Sequence, residues 1–389
     1  MAKLLIIGDF ATTTGFARVN EAVANQLEAR GWDISVLAIN YHGDYHPLQR
    51  RYRLFPASLL GSDVMGMGRT PDVVAAVKPD VILLAQDSWN VGEYLNQLSL
   101  RNLTNVKIFP WLPVDAPNQH KAYQMNDPMI AGVIAPTKFG IDELIKGGYT
   151  GPTFVIPYGV DTKTFYPIDK REARKQLGFP EHLLDAFVVG RADRNSPRKR
   201  YDLSTQYFGR WWEGAGRPKD AHLYYHTSLH DNGWDLQQMA QHLGLNDNII
   251  FTDRAMLAGR GVSVEKLNLV YNSWDAHFST TLGEGWGFVA HESAACGVKQ
   301  LLPRWSAYGE WMYNGAMFMR CDSTSWMTSG INTIGGIASE DEAVEWLDRL
   351  YTKNLNTDYS AKALAVARKP EYDWYNIGTQ VHNLLKEVL

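Results

Sequence analysis

Apolar positions fall into short, nearly uninterrupted runs at 3–7, 33–38, 80–85, 106–110, 131–135 and 153–156. Between these runs apolar residues recur every three or four positions, as Phe16, Val19, Val23 and Leu27 do within 16–30. The first pattern predicts strands buried on both faces, the second amphipathic helices. Strands apolar throughout and separated by helices make a parallel sheet covered on both sides. The first half therefore reads as a doubly wound, Rossmann-like α/β domain. Residues 157–185 interrupt the alternation, with Pro157, Gly159, Pro167 and Pro180 around a charged helical piece at 169–177. It then resumes, with strands at 186–190, 221–225, 248–251, 275–279 and 298–302 and helices at 201–212, 235–243, 264–271 and 287–296. A second domain of the same kind is predicted. Residues 340–389 read as mostly helical. The expected division is 1–165, 166–370 and a closing helix, 371–389, that returns to the first domain. Two facing Rossmann-like domains would place the site in the cleft between their carboxyl edges.

Composition narrows the function classes. A chain of 389 residues with 45% apolar and 21% charged residues is ordinary for a globular protein, not a disordered, collagenous or coiled-coil one. Basic and acidic side chains number 38 and 42, so no global field draws the protein to nucleic acid or an anionic membrane. Residues 1–165 carry 14 basic and 15 acidic side chains, so that part is not basic either. Two cysteines, Cys296 and Cys321, make no disulfide framework, and a cytoplasmic location is expected. No apolar run reaches 18 residues, so no membrane insertion is predicted. Aromatic residues, 12% of the chain, suit sugar stacking and core packing alike.

The densest constellation is Thr281-Leu282-Gly283-Glu284-Gly285-Trp286-Gly287-Phe288, followed by Glu292. It follows a strand and opens a helix. Its glycines let the backbone approach a ligand closely, and a helix start offers free N–H groups to a phosphate. Glu284 and Glu292 can accept hydrogen bonds from vicinal hydroxyls, one from a sugar and one from a ribose. The same spacing also fits a turn that caps a core helix, with two solvated glutamates. A basic loop, Arg194-Asn195-Ser196-Pro197-Arg198-Lys199-Arg200, follows the strand ending near Gly190-Arg191. It suits phosphate oxygens, or it is a solvated loop. His222, His226 and His230 repeat every four residues, as do His42 and His46, but 221–225 reads as a strand, so no helical metal-binding face results. No Asp-x-Asp motif occurs. The segment Arg50-Arg51-Tyr52-Arg53 is either a contact for a polyanion or a solvated loop.

Together these motifs resemble the glycosyltransferases of family four (group 1), retaining enzymes of GT-B fold. The likeness rests on Glu284-Gly285-Trp286-Gly287-Phe288 with Glu292 and Ala294-Ala295-Cys296-Gly297, and on Ile156-Pro157-Tyr158-Gly159-Val160-Asp161. The basic loop and Thr14-Gly15-Phe16 near the N-terminus match in order as well. Lys299 stands where the family usually has proline, and Tyr158 replaces its His or Asn. The resemblance implies an acceptor-binding domain over 1–165 and a nucleotide-sugar-binding domain over 166–370. It implies metal-independent transfer of a sugar from a UDP- or GDP-linked donor, with no cofactor, by front-face displacement. Arg194 and Lys199 would clamp the diphosphate, with Arg191 a rival for that role and Arg198 facing solvent. The Gly285–Phe288 backbone, with Trp286 and Gly287, would cradle the donor, Glu284 its sugar and Glu292 its ribose. Gly15 and Phe16 would close over the reacting centre. Asp87, which follows Gln86 where the family has a His, would face the acceptor, and Asp115 is a further candidate or a turn carboxylate. A glycan or small-molecule acceptor is expected. The alternatives are a hydroxymethylated base in DNA, met by the 50–53 cluster, and an epimerase or hydrolase on the same scaffold.

Overall fold

The computed structural model describes residues 1–61, 63–229, 231–252 and 262–389. The chain divides into two compact units, Met1–Gly159 with Pro370–Leu389, and Val160–Lys369. Each is built on its own parallel sheet.

Among the described residues the first unit has seven strands: β1 (Lys3–Asp9), β2 (Asp33–Ile39), β3 (Arg53–Pro56), β4 (Val81–Ala85), β5 (Lys107–Trp111), β6 (Val133–Ala135) and β7 (Thr153–Val155). Their order is β3-β2-β1-β4-β5-β6-β7 and every pairing is parallel. Leu4 to Ile7 of β1 are buried on both faces, as the unbroken apolar run requires. Each such side chain contributes about 2 kcal/mol of transfer free energy. The helix Gly15–Glu28 starts where the Thr14 hydroxyl accepts the Ala17 N–H at 3.1 Å, and it buries Val19, Val23 and Leu27. The helix Trp374–Lys386 buries Ile377, Val381, Leu384 and Leu385. It is tied to the start of the chain by Arg30, which donates to the Tyr375 carbonyl at 3.0 Å and the Thr379 hydroxyl at 2.8 Å. The Trp32 indole N–H donates to His382 Nδ1 at 3.0 Å. The chain leaves β1 in one direction across the sheet and resumes at β4 in the other, so the strand order reverses between β1 and β4.

The second unit has β8 (Phe187–Arg191), β9 (Ala221–Tyr225), β10 (Ile249–Phe251), β11 (Ala276–Phe278), β12 (Lys299–Pro303) and β13 (Ala316–Met319), in the order β10-β9-β8-β11-β12-β13. All pair in parallel, and the reversal falls between β8 and β11. An antiparallel pair, β14 (Cys321–Trp326) and β15 (Ile334–Ala338), follows.

Four strands escape the apolar pattern. β3 is a four-residue edge strand bounded by Arg53 and Pro56, where a missing N–H costs no ladder bond. β13 is as short. β14 is polar and largely exposed. β15 carries Gly335 and Gly336, where a side chain would collide with Leu282 and Trp305. Among the described residues no helix is long and apolar enough to cross a membrane.

Candidate donor and acceptor sites

In open parallel sheets ligands bind beyond the carboxyl ends of the strands, at the point where strand order reverses. In the second unit that point lies between Arg191, the last residue of β8, and the loop after β11. Arg191 is fully buried and its guanidinium is committed to protein oxygens. Nη1 donates to the Ser204 and Thr280 hydroxyls at 3.0 and 3.1 Å, and Nη2 to Asp193 Oδ2 at 2.9 Å and the Lys199 carbonyl at 2.7 Å. The group also lies 4.2 Å from the Tyr201 ring centroid. Arg191 thus shapes the loop that carries Lys199 rather than offering its own fork to a ligand.

Lys199 is the centre of the site. Its ammonium donates to Asp193 Oδ1 at 2.8 Å and also to Glu284 Oε1. Glu284 Oε1 accepts from the Thr281 hydroxyl at 3.0 Å and lies 3.4 Å from the Arg198 guanidinium, which itself donates to the Gly283 carbonyl. Three cations and two carboxylates therefore form one buried or half-buried cluster. Burial alone would raise the pKa of Glu284, but the charges of Lys199 and Arg198 outweigh it and hold the carboxyl below its ordinary value. At Asp193 the Lys199 and Arg191 charges likewise overcome burial and hold the group ionised. The cluster carries one net positive charge, and two carboxylates share a single lysine. An arriving diphosphate would compete with Glu284 for the Lys199 ammonium.

Beside the cluster, Gly287 caps the helix Phe288–Ala295 at φ +90°, a left-handed conformation that glycine adopts without strain. A Cβ there would also collide with the Tyr308 ring. The backbone of buried Gly285 and half-buried Gly287 and Phe288 leads from the Glu284 loop into the helix. Trp286 points the other way. It is buried and stacked on Trp311, with centroids 4.7 Å apart and planes 10° apart, and its N–H donates to His291 Nδ1 at 3.0 Å. His291 Nε2 faces the Ala367 carbonyl at 3.1 Å, so the ring is neutral with its proton on Nε2. Burial pushes its pKa down to about 4. Trp286 is a buried wedge that fixes the loop against Trp311 and His291. Glu292 is buried and accepts the Tyr271 hydroxyl at 2.7 Å.

The resemblance assigns Arg194 and Lys199 to the diphosphate, and the structure surrounds the two differently. Arg194 is largely exposed and makes two bonds to Asp231, at 2.7 and 3.0 Å. Arg198, expected in solvent, takes its place beside Lys199. Asp193 has no place in the motif reading. An acid two residues beyond a strand-end arginine inside a basic run is the signal that could have found it.

In the first unit the reversal lies between the carboxyl ends of β1 and β4. Asp9 is buried there, its carboxylate accepting from the Thr14 hydroxyl at 2.6 Å and from the Asn40 amide at 3.0 Å. Burial raises its pKa, and that of Glu21, which accepts the Ala11 N–H at 3.0 Å. Gly15 and Phe16 open the helix over this edge and are half-buried. Asp87 precedes the helix Ser88–Leu100 at the end of β4, close enough to Tyr158 for its charge to add to the burial that raises that phenol. Gln86 is buried, with Oε1 accepting from Asn90 at 3.0 Å. Half-buried Asp115 belongs to the loop that follows β5. Asp9 is missed by sequence because it reads as the polar end of an apolar run.

The basic segment lies at the other edge of this sheet. Arg51 and Arg53 line a recess of about 340 Å³ with Lys3, Asp33 and Ser35, at the amino ends of β1, β2 and β3. Arg51 is paired with Glu28, and Tyr52 is buried with its hydroxyl on Asn25 at 2.8 Å. Neither residue is arranged for the loops that follow β1 and β4. His222 is buried within β9 and His226 faces the Thr252 hydroxyl at 2.9 Å, while His230 lies outside the described residues. Among the described residues no three His, Cys, Asp or Glu side chains gather as metal ligands would.

No protein-family model matches the chain. Two curated relatives, both called D-inositol 3-phosphate glycosyltransferase, match part of it. The protein from Geodermatophilus obscurus is 31% identical over 152 residues, 38% of this chain and 31% of the relative's length. That from Stackebrandtia nassauensis is 33% identical over 151 residues, 37% of this chain and 31% of its own. The chain thus matches about a third of the length of these relatives. Solved structures match throughout. Sucrose-phosphate synthase from Thermosynechococcus elongatus superposes with a TM-score of 0.73 at 14% identity, covering 100% of this chain and 99% of that one. Anabaena HepE, in complex with UDP and glucose, gives 0.70 at 18% identity and covers 100% of both chains. WaaG, a glycosyltransferase involved in lipopolysaccharide biosynthesis, gives 0.69 at 13% identity and covers 99% of both. The chain has the GT-B fold, two Rossmann-like domains, and part of its sequence is similar to two proteins named as glycosyltransferases.

Proposed function

We propose that the protein transfers a sugar from a nucleoside-diphosphate sugar to an acceptor hydroxyl, with retention of configuration and without a metal ion. The observation that carries this reading is the Arg198–Lys199–Glu284 cluster at the reversal point of the second sheet, beside a glycine-capped helix start. Lys199 and Arg198 hold the donor diphosphate and stabilise its charge as it leaves. Charge that develops in a site already holding oriented cations is stabilised without solvent reorganisation. Glu284, once Lys199 has turned to the phosphate, accepts hydrogen bonds from the donor sugar. The backbone from Gly285 to Phe288 directs N–H groups at the diphosphate, and Glu292, fixed by Tyr271, takes the ribose. The departing phosphate oxygen receives the acceptor proton, so no protein nucleophile is needed.

The donor is UDP- or GDP-linked. The structure of HepE with UDP and glucose supports the first. At the first unit's carboxyl edge, Asp9, Asn40 and Asp87 present acid and amide groups that suit a polyol or glycan. The relatives named for inositol 3-phosphate point the same way. The position of Arg51 and Arg53 at the amino ends of the strands favours such an acceptor over DNA.

The test is a panel of nucleotide sugars scored by melting temperature, followed by transfer assays in excess chelator. One donor should raise the melting temperature by mass action. Donor turnover to an epimer or free sugar as the main reaction, or activity lost to chelator and restored by manganese, would overturn the respective parts.

A further inference from the structure

Ser306 has backbone φ +47°, a left-handed conformation that a non-glycine residue holds at a cost. It opens the helix Ser306–Trp311 just after β12 and is buried. Its hydroxyl accepts the main-chain N–H of Glu284 at 3.0 Å. The next residue returns the contact, the Ala307 N–H donating to the Glu284 carbonyl at 3.2 Å. Both backbone groups of Glu284 are therefore held by one dipeptide 22 residues further along the chain.

The same short helix grips the rest of the loop. Tyr308 fills the space that a Cβ on Gly287 would need. Burial first, and then the Glu284 and Asp193 charges, push its phenol well above the ordinary value, so it is a neutral hydroxyl beside the cluster. The Trp311 N–H donates to the Trp286 carbonyl at 2.8 Å. From outside, the Gly336 N–H donates to the Leu282 carbonyl at 2.9 Å. The loop that bears Glu284 is fixed at Leu282, Glu284, Trp286 and Gly287 by residues that do not themselves belong to the ion cluster.

We propose that Ser306 is the positioning residue for Glu284: its strained backbone aims a hydroxyl at the Glu284 amide and so sets the direction of the carboxylate towards the donor sugar. This rests on the reading of Glu284 as the ligand of that sugar. The strain is compatible with such a role because glycine would adopt the same φ freely but supply no hydroxyl.

That contrast supplies the test. Ser306→Gly keeps the backbone conformation and removes only the hydroxyl, so the variant should fold, with the relieved strain offsetting in part the unpaired Glu284 N–H. Its kcat for transfer should fall about fivefold, the size of one net hydrogen bond. Its affinity for UDP or GDP alone, which does not involve the sugar, should stay within about twofold. In a Glu284→Gln background Ser306→Gly should have no further effect on the residual rate, since residues acting through one group are not additive. Independently of activity, amide hydrogen exchange at Glu284 should accelerate in Ser306→Gly. A variant with wild-type kcat, or one whose loss persists in full in the Glu284→Gln background, would overturn the proposal. If the wild-type protein turns over no nucleotide sugar, the glycosyl-transfer reading fails, and unchanged exchange at Glu284 would then reject the positioning role separately.

Discussion

The two sheets reverse strand order at corresponding places, between the first and fourth strands of each unit, yet the two carboxyl edges hold different chemistry. Beyond β8 and β11 stand Arg191, Arg198 and Lys199 against Asp193 and Glu284, a cluster with a net positive charge. Beyond β1 and β4 stand Asp9, Asn40, Gln86 and Asp87 with Thr14, a set of acids, amides and a hydroxyl. The fold chooses where a ligand can sit, and the loop residues choose which ligand. A positive cluster suits a leaving diphosphate. Acids and amides suit an acceptor whose hydroxyls must be oriented.

The comparison extends to acid stability. His226, His277 and His291 all lie in the second unit, and burial pushes each down to about 4. Between pH 6.5 and about 4 the unfolded chain binds protons that this folded unit refuses. Its stability is therefore present at neutral pH and lost as pH falls through that window, by up to about 4 kcal/mol per pH unit for three histidines. The raised carboxyls of Asp9 and Glu21 act in the opposite direction, since their protonation favours the folded first unit as pH falls. Hydrogen exchange followed from pH 7 to pH 4 should show the second unit opening first. Simultaneous opening would break the contrast.

Lys199→Ala should have the next largest effect. It removes the contact that strengthens as the diphosphate leaves and strands two buried carboxylates, so transfer should fall by about two orders of magnitude, roughly 3 kcal/mol. Asp87→Ala should instead raise the acceptor KM about tenfold, the scale of one hydrogen bond to a charged group, and leave donor affinity unchanged. Equal effects on donor and acceptor would erase the division of labour. Arg194→Ala should change little, because an exposed pair such as Arg194–Asp231 contributes at most about 1 kcal/mol. A loss comparable to that of Lys199→Ala would restore Arg194 to the clamp.

The sequence makes the two sheets legible because runs such as Leu4–Ile7 admit only a strand covered on both faces. β3 and β13 to β15 are invisible to that argument: they are short, polar or glycine-bearing, and edge strands need no alternation. Within the site, the residue types at 199, 284 and 292 are readable from a glycine-rich turn beside a basic loop. Which arginine joins Lys199 is not. That choice depends on how the loop turns through Pro197, with the Tyr201 hydroxyl on the Asp193 carbonyl at 2.7 Å and Arg191 on the Lys199 carbonyl. Trp286 is legible as part of the glycine-rich turn, but the burial of its ring against Trp311 is not. Ser306 carries no local signal at all, since only the fold brings it to Glu284.

If the second unit's ion cluster binds the donor diphosphate through Lys199, removing that ammonium must weaken nucleotide binding. Calorimetric titration of UDP and GDP into the wild-type protein, Lys199→Ala and Glu284→Gln measures this. One nucleotide should bind the wild type at one site per chain and bind Lys199→Ala about a hundredfold more weakly, a difference of roughly 2.7 kcal/mol. It should bind Glu284→Gln at least as tightly as wild type, because the carboxylate that competes for the ammonium is gone. Equal affinity in the wild type and Lys199→Ala, or no binding of either nucleotide to the wild type, would mean that Lys199 does not hold a donor diphosphate.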